Sequence, residues 1–176
     1  MKTNTALIGF MGVGKTVVGE TLARTLRQNF VNLDSRIEEK TGRPIPSIFE
    51  QEGEIAFREL EIEATKEVSQ EGNTVIACGG GIVLNQINID RLRQKSKIVY
   101  LTASPRIIMK RVLSGGGERP LLVAANPSLR IQELLRFRRP FYERVADITV
   151  NTSKLKVDAV VEQIIAKIKE YEGFHS

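Results

Sequence analysis

Cysteine and histidine are almost absent from this chain of 176 residues, which holds one of each, Cys78 and His175. A lone cysteine cannot close an internal disulfide, and this suits a reducing compartment. No histidine lies near Cys78 in sequence, so a Cys–His nucleophile has no candidate. Cys78 reads as a small strand residue, and His175 as tail. No apolar run approaches the roughly 20 residues that a membrane helix needs. The N-terminus leads straight into a strand pattern, without a charged, apolar and small-residue leader. A cytoplasmic protein without a membrane partner is expected. Aromatic residues make up only 6%, and the basic residues behind the net charge of +5 are scattered. That balance fits a small anionic ligand better than a nucleic-acid partner, and none of the latter is expected. Repeats and interdomain linkers are also missing. With 41% hydrophobic content, one core is expected, in a single domain spanning 1–176.

Against these absences stands one dense motif. Gly9-Phe10-Met11-Gly12-Val13-Gly14-Lys15-Thr16 satisfies GxxxxGK[ST] at every fixed position. Ahead of it, Thr5 to Ile8 is an apolar run that suits a buried strand. Behind it, Val18, Leu22 and Leu26 recur every four residues along one helical face. The glycines therefore fall in a strand-to-helix turn, where the backbone can curl until several N–H groups point inward. The positive end of the following helix adds to their attraction for phosphate oxygens. A nucleotide held by Gly12, Val13, Gly14, Lys15, Thr16 and Val17 is expected. Lys15 would reach the β and γ phosphates. Thr16 would offer its hydroxyl to Mg²⁺, which takes oxygen ligands and keeps several waters.

Apolar runs alternate with amphipathic stretches along the chain, the pattern of an α/β fold with a mainly parallel sheet. Strands are expected at Asn4 to Ile8, Phe30 to Leu33, Thr74 to Cys78, Ile98 to Thr102 and Asp147 to Val150. Helices are expected at Lys15 to Gln28, Gly53 to Gln70, Ile87 to Gln94, Pro105 to Leu113 and Ser128 to Val145. A last helix spaces Val157, Val160, Val161, Ile164, Ile168 and Tyr171 along one face, with Tyr171 read as core. Two segments break the alternation. Thr41-Gly42-Arg43-Pro44-Ile45-Pro46 interrupts two helical patterns and lengthens one crossover, as a small cap would. Ser114 to Pro120 carries three successive glycines before an Arg-Pro pair. Triglycine costs entropy on ordering, so it suits either a loop that must move or a plain surface loop.

Three further groups lie at strand ends, where an α/β sheet binds its ligands. Asp34 follows the second strand and is either a proton acceptor for a substrate hydroxyl or a helix N-cap. Gly79-Gly80-Gly81 follows the third strand and can present backbone N–H groups at close range. Arginines form the third group: Arg58, and Arg136, Arg138 and Arg139 ahead of Pro140-Phe141-Tyr142. Guanidinium forks suit carboxylate or phosphate, while Arg136 and Arg139 read as solvated helix charge.

Taken in order, Gly9 to Thr16, Asp34 with Thr41-Gly42-Arg43, Phe57-Arg58, Gly79-Gly80-Gly81, Arg119-Pro120-Leu121 and Arg138 to Tyr142 resemble the shikimate kinase family. This is a branch of the nucleoside-monophosphate-kinase-like P-loop proteins, and the resemblance covers nearly the full length. It implies a five-stranded parallel sheet of order 2-3-1-4-5, a substrate-binding cap at 33–62 and a mobile lid at 112–124. It also implies transfer of the ATP γ-phosphoryl group to the 3-hydroxyl of shikimate, on the route to chorismate and aromatic amino acids. Lys15, Asp34 and Arg119 would be catalytic, with Asp34 as base and Arg119 as the lid arginine. Arg58, Arg138 and Gly79 to Gly81 would hold shikimate. Arg111, Asn151 and Thr152 would lie near adenine. A monomer acting on ATP and shikimate is expected. One departure stands out: the family usually has Asp-x-Asp at the end of the second strand, and here the triplet is Asn32-Leu33-Asp34. Asn32 would face the metal through water, with one charge fewer, so either Mg²⁺ binds more weakly or another group assists. A gluconate or nucleotide kinase of the same fold, and a non-catalytic nucleotide sensor, are the rival readings.

Overall fold

The structure is a computed structural model that describes residues 2–115 and 126–174. Arg119, most of the 112–124 segment and His175 lie outside the described residues. The strands are β1 (Asn4–Ile8), β2 (Asn29–Asn32), β3 (Thr74–Ala77), β4 (Ser96–Thr102) and β5 (Ile148–Asn151). The helices are α1 (Lys15–Leu26), α2 (Leu33–Thr41), α3 (Ile45–Val68), α4 (Gln86–Lys95), α5 (Pro105–Ser114), α6 (Pro127–Val145) and α7 (Val157–Phe174). All strand pairs are parallel, in the order β2-β3-β1-β4-β5. This is the five-stranded arrangement that the resemblance implied.

The order follows from the apolar pattern. Ala6, Leu7 and Ile8 are each 0% exposed, so β1 is covered on both faces and belongs in the middle. Ala6 pairs with Ile76 of β3 on one side and with Ile98 of β4 on the other. Helices close the two faces, with α7 packed on α1 and β5 and with Tyr171 resting against the core. Because every strand runs the same way, the loops after β1, β2 and β3 all open at one edge of the sheet. The chain departs from β1 to opposite sides, and that edge is where a crevice forms.

Two local features differ from the sequence expectation, and both shape the crevice. The second strand ends at Asn32 instead of continuing through Leu33. The reason is a cap: the Asn32 side chain accepts a hydrogen bond from the Ser35 N–H, which starts α2 at Leu33. Asp34 is therefore in the first turn of α2, and its reading as the N-cap falls away. The second difference is in α3, expected from Gly53 but beginning at Ile45 after Pro44. At Gly53 the backbone takes φ 81° and ψ 179°, a conformation open essentially to glycine, so the helix breaks there into two pieces. α2 packs against α3. The second piece carries Arg58 toward the sheet. No helix among the described residues is long and apolar enough to cross a membrane.

Candidate active site

The loop after β1 has the backbone that its glycines require. Gly12 and Gly14 have φ of 80° and 99°, and Gly14 is the residue from which α1 starts. At Gly9, with φ 146°, a Cβ would lie 2.3 Å from the Leu101 carbonyl oxygen, so the loop can sit down on β4 only without one. Lys15 curls over the turn and donates to the Gly9 and Phe10 carbonyls at 2.7 and 2.9 Å. Thr16 is exposed at the mouth of the cradle. A cavity of about 490 Å³ runs from Gly12 and Lys15 past Asp34 to Gly79.

The far side of the loop is held by the residues expected near adenine. Thr152 is buried, and its hydroxyl donates to the Val13 carbonyl at 2.9 Å. The Arg111 guanidinium donates to the Gly12 carbonyl at 3.3 Å, to Thr152 Oγ1 at 3.1 Å and to the Thr152 carbonyl at 3.1 Å. α5 and the end of β5 therefore fix the shape of the phosphate cradle. Asn151 is exposed on a separate cavity of about 620 Å³, lined also by Ser104, Arg106, Ile107, Lys154 and Leu155.

On the other side, four charged side chains converge on the glycine triplet. A Cβ on Gly79 would come within 2.9 Å of Asp34 Oδ1 and 3.0 Å of Glu61 Oε1. One on Gly81 would lie 2.4 Å from both terminal nitrogens of Arg58, and one on Gly80 would lie 3.5 Å from Arg138 Nη1. The triplet is thus glycine for reasons of space at Gly79 and Gly81. Arg58 is oriented by ion pairs of 3.0 Å to Glu54 and to Glu61. Arg138, on α6, is 3% exposed, and its Nε has no hydrogen-bond partner. Asp34 Oδ1 is likewise buried without a partner. Such groups in a crevice are poised for a ligand's polar atoms. Arg136 is exposed and Arg139 pairs with Glu143 at 2.7 Å on the helix surface, in keeping with their solvated reading.

Burial governs the electrostatics. It pushes the Asp34 carboxyl above its ordinary value, against the pull of Lys15 and then Arg58. Glu61 is raised by burial in the same way, although Arg58 opposes the shift. For Arg58, burial favours the neutral form, but the Glu61 carboxylate outweighs it and the guanidinium is raised further. The Cys78 thiol is pushed up to about 12, first by burial and then by Glu61, so it stays protonated and inert at the floor of the cavity.

Two contributors had no role in the sequence reading. Glu61 is 0% exposed and holds Arg58 from one helical turn away. Its spacing of three from Arg58 was the available signal. Tyr142 is also fully buried. It stacks on Tyr100 with ring centroids 5.1 Å apart, and its hydroxyl donates to the Gly80 carbonyl. It lies four residues after Arg138, so one face of α6 both supplies the guanidinium and pins the triplet.

A parallel sheet with a GxxxxGK[ST] loop after its central strand, a lysine over that loop and a crevice holding Arg58, Arg138 and Asp34 beside it define a small-molecule kinase of the P-loop fold. The family model described as shikimate kinase matches residues 11–169, and the chain belongs to the shikimate kinase family. A shikimate kinase of Caldanaerobacter subterraneus subsp. tengcongensis is 43% identical over 170 residues, which cover 97% of this chain and 98% of that protein. Another, from Thermodesulfovibrio yellowstonii, is 45% identical over 169 residues, covering 96% and 95%. Among solved structures, the shikimate kinase from Acinetobacter baumannii in complex with shikimate superposes with a TM-score of 0.91. It is 36% identical and is matched over 96% of this chain and 93% of that one. A gluconokinase from Sinorhizobium meliloti 1021, at 20% identity and a TM-score of 0.64, shares the fold alone.

Proposed function

We propose that this chain is an ATP-dependent shikimate kinase, which moves the γ-phosphoryl group of ATP to the shikimate 3-hydroxyl and yields shikimate 3-phosphate. The observation that carries this reading is the convergence of Arg58, Arg138 and the buried Asp34 on Gly79 to Gly81, beside a phosphate loop. Two arginines suit a carboxylate, and a carboxylate with an unpartnered oxygen suits a hydroxyl. In this reading Asp34 accepts the hydroxyl proton, and Lys15 stabilises negative charge on the phosphates. Arg58 and Arg138 clamp the substrate carboxylate, while Glu61 orients Arg58. The Asn151 cavity takes the adenine, and Arg111 holds the neighbouring Thr152.

The stretch from Ser114 to Leu122 is read as the lid, with Arg119 reaching the γ-phosphoryl group on closure. α5 ends at Ser114 and α6 begins at Pro127, so this stretch joins the helix of Arg111 to the helix of Arg138. Closure would exclude water and limit idle ATP hydrolysis. A monomer is proposed, and the lone cysteine suits the cytoplasm.

Magnesium fits the site. Thr16 offers a hydroxyl oxygen, and the phosphates of the nucleotide and water would supply the remaining ligands. Among the described residues no group of three His, Cys, Asp or Glu forms a dedicated metal cage. That suits a cation which keeps its waters and arrives with a nucleotide. When bound, it would neutralise charge on the transferring phosphoryl oxygens.

The clamp makes a direct prediction. Alanine at Arg58 or Arg138 should raise KM for shikimate about 10- to 100-fold, from the loss of a charge-assisted contact of about 1.5–3 kcal/mol. KM for ATP should hardly move. Steady-state kinetics with each substrate varied in turn measures this, and an equal rise in both constants would sink the assignment.

A further inference from the structure

Asn32 stands where a carboxylate would serve a metal better, and its amide is committed at both ends. Its Oδ1 accepts from the Ser35 N–H at 3.1 Å, and its Nδ2 donates to Thr16 Oγ1 at 3.0 Å. The donor face of the amide is therefore turned toward the hydroxyl that would meet the cation. In this arrangement Asn32 points its Nδ2 at Thr16 and turns its oxygen to the Ser35 N–H, away from the hydroxyl beside which metal-bound water would gather. Turning the amide over would set Nδ2 against the Ser35 N–H and uncap α2, the helix that carries Asp34. A cap of this kind contributes about 0.5–2 kcal/mol. The cation would thus lack a negative partner at this point, because Asn32 is neutral and fixed.

A carboxylate is available from the next turn of α1. Glu20 is four residues beyond Thr16, on the same helical face. Side chains on a helix lean toward its N-terminus, so Glu20 leans back toward Thr16. Both are exposed. The cavity of about 490 Å³ along the phosphate loop is lined by Thr16, Glu20 and Asn32. So is an adjoining one of about 260 Å³ that extends to Ser35 and Arg36. The other acidic residues reach only one of these spaces each: Asp34 the first, Glu39 the second. Arg36 is paired with Glu71 at 3.4 Å. Glu20 makes no ion pair with a described residue, so its charge is not neutralised by a neighbour.

We infer that Glu20 takes the outer-sphere role at the magnesium site, accepting hydrogen bonds from metal-bound water where Asn32 presents a neutral donor. This rests on Mg²⁺ meeting Thr16 with the nucleotide. An outer-shell carboxylate orients bound water and adds attraction without touching the ion, and losing such a partner typically weakens metal affinity 10- to 100-fold. Glu20 is a positioning residue in this scheme, since it acts on the metal through water.

Isothermal titration of ADP into the protein, over a series of Mg²⁺ concentrations and without metal, provides the test. Glu20→Gln is expected to raise the Mg²⁺ concentration that gives half-maximal tightening of ADP about tenfold. Its affinity for metal-free ADP should equal that of the wild type. In an Asn32→Asp background, where the new carboxylate can serve both Ser35 and metal-bound water, Glu20→Gln should shift that concentration far less. If Glu20→Gln leaves the Mg²⁺ dependence unchanged while the wild type shows one, the role of Glu20 is overturned and the metal site stands. An equal loss of ADP affinity with and without Mg²⁺ also overturns it, because Glu20 would then act on the nucleotide or the fold. Should the wild type bind ADP identically at every Mg²⁺ concentration, the metal reading falls and the Glu20 role with it.

Discussion

Arg119→Ala is expected to lower kcat by about 10³- to 10⁵-fold, the range seen when an arginine that stabilises charge on a transferring phosphoryl group is removed. Phosphoryl transfer leaves the protein little covalent work, so positioning and electrostatics carry the rate. Arg58 and Arg138 are assigned to the acceptor, and Lys15 lies over the phosphate loop. A guanidinium delivered by the glycine-rich segment would add charge only when both ligands are in place. Shikimate affinity should therefore barely change in Arg119→Ala. Amide hydrogen exchange across residues 114 to 122 should slow when nucleotide and shikimate are both present. Near-normal kcat in the variant, together with ligand-independent exchange, would reduce the segment to a surface loop.

Asp34→Asn is expected to lose about 10²- to 10⁴-fold in kcat, the usual contribution of a positioned base. The amide keeps the shape but cannot take a proton. Burial raises the Asp34 carboxyl above its ordinary 3.8, with Lys15 and Arg58 only partly opposing it. The base must be ionised to act, so the rate should fall on the acid side through that raised value, higher in pH than for an exposed aspartate. Stability moves the opposite way. The folded state holds this proton more tightly than the unfolded chain, so stability falls as pH rises from 3.8 through the raised value and levels off above it. Asp34→Asn removes that cost. Its Tm at neutral pH should equal or exceed that of the wild type, and the gap should close as pH falls toward 3.8. A variant that is inactive and also markedly less stable would indicate a structural role instead.

Much of the site was legible in the sequence because its residues are constrained by the backbone. Gly9, Gly12 and Gly14 need positive φ, and Gly79 and Gly81 leave room for Asp34 and Arg58. Such constraints fix residue types at fixed spacing, which a motif can register. Glu61 was harder to see, since a glutamate three residues from an arginine on a helix is ordinary surface chemistry. Glu61 is fully buried beside Gly79 of the triplet, a placement that no local pattern encodes. The bounds of α2 were hidden for a similar reason. α2 buries only Leu33 and Ile37, too few to trace a helical stripe, and its start depends on one asparagine side chain. That same side chain turned out to be doubly engaged. The sequence registered the missing carboxylate but not the hydrogen bonds that immobilise the amide in its place.

The most direct measurement of the central claim is a coupled assay of ADP release from Mg·ATP by the purified protein, with and without shikimate. Sustained release that depends on shikimate, with one shikimate 3-phosphate formed per ADP, is the predicted result. Nucleotide binding without shikimate-dependent turnover would contradict it and leave a nucleotide-binding module, whereas turnover with gluconate or a nucleoside monophosphate instead would assign the crevice of Asp34, Arg58 and Arg138 to a different acceptor.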